Sequence, residues 1–311
     1  MTGIAVAIAS SISYGLNNIA IRRGVLASSA SFGLYFTVFA GTLFAVVAAL
    51  VTGDLFQAGV LSVTDWLLLV MAGLVQIMLG RYCFFKATHA FGAPRTDLVQ
   101  GLQIPASILL AMAVLGERPE ASSLAGAGLI MFSGVVMVSG SRKPTRARQT
   151  PPADVAVGVD SARRAPDVRM AEGYGYALAS MGLYTGAGVL FKAAIGDTGL
   201  GTLGGLIAYT SAAAVLGASL LLKRYRDPLR GASMRAARWF TATAILSFLA
   251  NTLRFVALGL APISVVVPLI RTSAAFTFLF SLLINRRLET LGVREAVSVV
   301  LSLAGLALIL L

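Results

Sequence analysis

An arginine in the middle of an apolar run is the strongest chemical signal in this chain. Arg271 sits near the centre of the stretch 262–284, among Val265, Val266, Val267, Leu269, Phe276 and Phe278. At the centre of a membrane helix such a residue costs roughly 2.5–3.5 kcal/mol on insertion scales, so intramembrane arginines usually face a water-filled cavity or a partner and mark a solute path. A guanidinium presents a planar fork of five N–H donors that fits a carboxylate or a phosphate. Arg81 lies in an apolar run in the same way. Within such runs or at their inner ends stand Arg81, Lys86, Arg95, Arg254 and Arg271, with the acid Asp97 among them. That balance predicts capture of an anion and disfavours a cation.

Polar residues at helical spacing surround these charges. Ser10, Tyr14, Asn18 and Arg22 recur every four residues and therefore share one helix face, and Ser180, Tyr184 and Lys192 repeat the pattern later in the chain. Thr96, Gln100 and Gln103 form another stripe; Ser264 and Arg271, Arg81 with Tyr82 and Lys86, and Ser247 with Asn251 and Arg254 form three more. Serine and threonine in such places also knit membrane helices together by hydrogen bonds. The predicted site has Arg271 as anchor, Arg81 as second contact, and Tyr14, Asn18, Gln100, Gln103, Tyr184 and Asn251 to orient the remainder of the molecule. Lys86, Arg254, Arg22 and Lys192, near the ends of their runs, are expected to form electropositive vestibules on the two sides. Asp97 is either a titrating group in a proton-coupled cycle or a structural partner of Arg95, Arg81 or Lys86.

The elements that must hold these residues are membrane helices. The chain is 57% hydrophobic and 12% charged, with a mean hydropathy of +0.85, which is outside the range of a soluble core. Ten runs near 3–21, 32–52, 65–85, 92–115, 121–140, 173–191, 200–222, 237–257, 262–284 and 291–311 reach the ~20 residues that a ~30 Å hydrocarbon layer requires. The predicted fold is all-α, ten transmembrane helices in two inverted five-helix repeats: 1–140, a flexible basic and proline-containing linker at 141–172, and 173–311. Seventeen Arg/Lys lie in the connections after odd-numbered spans and two after even-numbered ones, so positive-inside places both termini outside the cytoplasm. A net charge of +12 thereby reads as an orientation signal, and no nucleic-acid partner is expected. A single cysteine, Cys83, and a single histidine, His89, predict no metal and no cofactor. No nucleophile, base and orienting group come together, so no enzyme is expected.

The repeat is visible in the residues. Gly3, Ala7, Ala9, Ser10 and Tyr14 align with Gly173, Ala177, Ala179, Ser180 and Tyr184, and Arg22 with Lys192. Ala93-Pro94 aligns with Ala261-Pro262, which pairs Lys86 with Arg254 and Gln103 with Arg271. Five spans per half is an odd number, so the halves insert in opposite senses, with the site at the midplane. Pro105 and Pro268 are expected to break the fourth and ninth helices.

A first helix ending in Asn and a base, "Ile104-Pro105 … Leu115-Gly116-Glu117-Arg118" and "Gly126 … Leu129-Ile130 … Gly134-Val135" resemble the drug/metabolite transporter superfamily, EamA type. The second half departs from the pattern, with Asn285-Arg286-Arg287 in place of the Gly-Glu-Arg motif. The resemblance implies a central cavity built by spans one, three, four, six, eight and nine, with five and ten peripheral. The function expected is a secondary-active, alternating-access transporter for a small anionic metabolite, with phosphorylated compounds among the candidates. The alternatives are a flippase for a phosphate-bearing lipid-linked carrier and an amino-acid or drug exporter; a non-transporting scaffold ranks last. The Arg-, Ala- and Gly-rich composition suggests a bacterial inner membrane. The lipid bilayer is then a partner, a monomer suffices, and a homodimer is compatible.

Overall fold

The computed structural model describes residues 2–110, 121–139, 169–195, 198, 200–226, 229, 233–260, 269–285, 288 and 292–310. Residues 141–168 of the expected linker, the Gly116-Glu117-Arg118 motif, Ser264 and Pro268 lie outside the described residues, and so does the side chain of Lys192. Among the described residues the regular structure is entirely helical. In chain order come α1 (Thr2–Ala27), α2 (Ala30–Thr52), a 3-10 segment (Asp54–Val60), α3 (Val63–Gly73), a π-helical segment (Leu74–Gly80), α4 (Arg81–Phe91), α5 (Ala93–Gly101) and α6 (Gln103–Leu110). Then follow α7 (Ala121–Ser139), α8 (Met170–Ile195), α9 (Gly201–Ser219), the short α10 (Lys223–Arg226), α11 (Met234–Leu260), α12 (Ser273–Ile284) and α13 (Val293–Leu310). α8 starts three residues before the expected boundary at 173.

Thr2–Ala27, Ala30–Thr52, Val63–Phe91, Met170–Ile195 and Gly201–Ser219 are long and apolar enough to cross a membrane; Leu124–Ser133 and Leu269–Ile284 are shorter apolar helices. Helix ends are set locally. Ser29 accepts the N–H of Phe32 at the start of α2, and Gly53, at φ 78, ends it in a left-handed conformation that glycine adopts without steric cost. Ser62 and Asp65 form a capping box on α3. Leu43, Val47 and Val51 stay exposed on α2, as a surface facing lipid requires.

Among the described residues, the segments of the expected fourth and ninth spans each contain a break. α5 ends at Gly101, and Leu102 forms a turn before α6. Pro105 is the cause: it lacks an N–H, and its ring crowds the carbonyl four residues back, that of Gly101. In the ninth span the turn falls on Thr272, whose Oγ1 donates to the Leu269 carbonyl at 2.7 Å and competes with the helical ladder.

α1 packs on α11 and α12, α8 on α3, α4 and α5, α2 on α9, and α7 on α13. The Ser10 hydroxyl donates to the Ala250 carbonyl at 2.7 Å, and the Ser180 hydroxyl to the Gly80 carbonyl at 2.9 Å. Ser10 and Ser180 are 170 positions apart, as are Gly80 and Ala250, and Leu102 and Thr272.

The basic end of α1 ties two other helices together. Arg22 donates to the carbonyls of Thr88 (2.6 Å), His89 (2.9 Å) and Leu288 (3.3 Å), and Arg23 donates to Asn285 Oδ1 (2.6 Å) and the Ile284 carbonyl (2.7 Å) while stacking on Trp239. Arg22 therefore does not belong to a vestibule: at 6% exposure it is spent on carbonyls at the end of α4 and just past the end of α12. Charged hydrogen bonds contribute about 1.5–3 kcal/mol each. Arg22→Ala is expected to lower the thermal unfolding midpoint in detergent clearly more than Arg23→Ala, whose bond to the Ile284 carbonyl is exposed; equal shifts would remove the clamp from the account of stability.

Candidate functional site

A cavity of about 230 Å³ lies where α1, α4, α8 and α11 meet the broken spans. Tyr14, Asn18, Arg81, Gln100, Gln103, Tyr184, Asn251 and Arg271, the eight residues expected to contact a substrate, all line it. Helical spacing explains the convergence. Tyr14 and Asn18 project from one face of α1, and Gln100 and Gln103 straddle the turn at Leu102.

Arg271 immediately precedes the turn at Thr272, and Gln103 immediately follows the turn at Leu102. The Arg271 guanidinium donates to Gln103 Oε1, Gln103 Nε2 donates to Gln100 Oε1, and Gln100 Nε2 reaches the Ala177 carbonyl at 3.4 Å. This relay spans the breaks of both helices and ends on α8. Arg81 donates to Tyr209 Oη at 2.8 Å and lies 5.4 Å from the centre of its ring. Tyr14 Oη donates to Asn251 Oδ1 at 2.8 Å, and Asn251 Nδ2 to the Ser247 carbonyl at 2.6 Å. Asn18 donates to Thr277 Oγ1 at 3.1 Å. Among the described residues, none of the lining guanidinium groups forms an ion pair.

Asp97 lines the same cavity, 6% exposed, and accepts hydrogen bonds from Thr277 Oγ1 (2.6 Å) and Ser273 Oγ (3.3 Å). It is not the partner of Arg95. That arginine pairs at 2.8 Å with Glu295, linking α5 to α13 with its side chain turned the other way from its neighbour two residues on. Arg254, expected in a vestibule, lines the cavity itself. Lys86, its expected counterpart, is absent from the lining and sits with Nζ 5.7 Å from the centre of the Tyr82 ring. The two bases are thus not equivalent in place, because the hydrogen-bond pairs repeat at 170 positions, not the 168 that pairs Lys86 with Arg254.

Gln76 and Tyr209 are among the lining residues that escaped the sequence reading. Gln76 precedes Arg81 by five positions, which in an α-helix puts them on different sides. The π-helical segment changes that: the Arg81 N–H bonds back to the Gln76 carbonyl, and the i→i+5 winding brings both to the cavity. Tyr209 comes from α9, whose other residues are small or apolar. Its only signal was the spacing Gly201, Gly205, Tyr209 on one face.

Residues 1–140 match the model of the EamA-like transporter family. Over those residues the chain resembles that family. That family is part of the drug/metabolite transporter superfamily, and its members are generally not enzymes. No curated protein matches the chain. Among solved structures, one crystal structure of a protein superposes with a TM-score of 0.55 at 18% identity, covering 97% of this chain and 98% of that one. That likeness carries the fold and nothing about the substrate.

The Arg271–Gln103 contact joins two helix breaks, so its members should act as a unit. A double-mutant cycle of Arg271→Gln with Gln103→Leu, read by thermal unfolding, is expected to give a coupling of about 0.5–3 kcal/mol. Additive effects would mean that the relay does not hold the breaks together.

Proposed function

We propose that this chain is a secondary-active carrier that moves a small organic anion across the membrane by alternating access, with a phosphorylated metabolite as the best fit. The observation behind this is the charge of the cavity wall: Arg81, Arg254 and Arg271 against Asp97, three positive and one negative, net +2. Arg81 and Arg271 donate to a phenol and an amide, which orient a guanidinium without neutralising it. Buried charge without a counterion is expensive, and a dianion such as a phosphomonoester would supply the missing negative charge through the fork geometry that arginine favours. Arg271 is the anchor, Arg81 and Arg254 are further charged contacts, and Tyr14, Asn18, Gln100, Gln103, Tyr184 and Asn251 orient the rest.

Two five-helix halves, 1–140 and 173–311, inserted in opposite senses and joined through 141–172, would rock about this site. The support lies in paired features 170 positions apart: the Ser10 and Ser180 bonds, Tyr14 with Tyr184, and the helix breaks at Leu102 and Thr272. Discontinuous helices at a midplane site are a recurring carrier device. The arginine distribution and composition favour a bacterial inner membrane with both termini outside the cytoplasm and a monomer as the working unit.

An amino-acid exporter is the second reading. One observation favours it: Asp97 and Arg271 line one cavity and could divide a zwitterion between them. A thermal-shift screen of the purified protein and Arg271→Ala against phosphorylated metabolites, dicarboxylates, amino acids and amines separates the two. Stabilisation by one anion class, lost in the variant, is expected; stabilisation by amino acids alone would move the assignment to the second reading. Transport in Asp97→Asn is expected to lose its pH dependence if the carboxyl carries the coupling proton, and an unchanged profile would leave anion exchange.

A further inference from the structure

A second, smaller cavity of about 40 Å³ adjoins the first and shares Gly205, Tyr209 and Asn251 with it. Its remaining walls are Ala45 and Ala48 of α2, Thr202 of α9, and Phe248 and Thr252 of α11. Small residues on two helices leave the space, and Phe248, its ring tilted against that of Phe44 with centres 5.2 Å apart, closes one side. Several polar groups at its edge are already engaged. Asn251 bonds to Tyr14 and the Ser247 carbonyl, Tyr209 Oη accepts from Arg81, and the Thr202 hydroxyl is taken up by Asp54 and Thr52. Those groups have little left to offer a polar guest, whereas an apolar group would fill the space. Water-sized occupancy needs ~10–15 Å³, so the room corresponds to about three heavy atoms.

From this we infer that the substrate carries a short apolar limb of two to three carbons, seated in this side pocket while its charged head lies among the arginines. The identity of the head rests on the anion reading of the main cavity; the limb pocket is argued from its own walls. Tyr209 sets the distance between the two ends. Its hydroxyl accepts from Arg81, and its ring lies over Gly41 of α2, where a Cβ would press into the ring at 3.1 Å from Cζ and closer at its edge. Tyr209 and Gly41 are therefore positioning residues that define how far the limb stands from the head.

The test uses the full-length protein in nanodiscs and calorimetric titration with two homologous series, monoalkyl phosphates from methyl to octyl and straight-chain amino acids from alanine to norleucine. Burial of each methylene is expected to tighten binding about fourfold, up to a limb of about three carbons, after which the gain stops. Ala48→Phe, which fills the pocket, is expected to flatten that dependence, and the milder Ala48→Val to shorten the limit by about one carbon. A climb in the phosphate series bears out both head and limb. A climb confined to the amino acids, flattened by Ala48→Phe, keeps the limb and sinks the anion head. Phosphate binding with no chain-length dependence, or a climb that survives Ala48→Phe and Ala48→Val, overturns the limb. Affinity that rises without limit to octyl also overturns it, in favour of a tail that leaves the pocket for the bilayer. Binding in neither series overturns both.

Discussion

A guanidinium inside a membrane helix imposes the main constraint on this structure. Its donors must find acceptors where helices have spent their carbonyls on each other. Here the acceptors come from glutamines placed beside a helix break. Gln103 takes a bond from Arg271 and passes one to Gln100, which reaches the Ala177 carbonyl. The turns at Leu102 and Thr272 bring Gln103 and Arg271 together, and the polar wall of the cavity is organised around that contact.

The same economy governs the rest of the bundle. Serine hydroxyls bond to carbonyls of neighbouring helices, Arg22 and Arg23 occupy carbonyls at the ends of α4 and α12, and Arg95 is neutralised by Glu295. Basic groups at these edges are consumed by structure. Arg81 and Arg271 differ in place: a phenol and an amide orient them, and they line the cavity. The contrast between arginines tied into the helix ends and arginines facing the cavity separates scaffold from candidate site within one residue type.

Much of the cavity was legible in advance because helical periodicity is local. Tyr14 and Asn18, or Gln100 and Gln103, must share a face if the segment is a helix, and the cost of polar side chains against lipid turns such faces inward. Legibility failed where the winding or the neighbour was not local. Gln76 reaches the cavity through a π-helical segment that breaks the 3.6-residue period, and Tyr209 reaches it because α9 packs on α2 and α3. Arg22 and Arg254, both expected in vestibules, lie instead on carbonyls and in the cavity wall respectively, since distance from the end of an apolar run does not tell which carbonyls or cavities lie opposite.

By itself the sequence determined that this is a helical, multi-pass membrane protein and which faces of its helices are polar, because hydropathy and periodicity are properties of contiguous residues. Its early motifs also pointed to the transporter family that residues 1–140 match. Only the tertiary structure decided which bases are spent on carbonyls and carboxylates and which line the cavity. It also placed the fourth-span break at Leu102 and opened a small apolar pocket beside Tyr209. Each of those depends on what a neighbouring helix presents within hydrogen-bonding or van der Waals reach, and contacts between residues more than a hundred positions apart leave no local periodic trace.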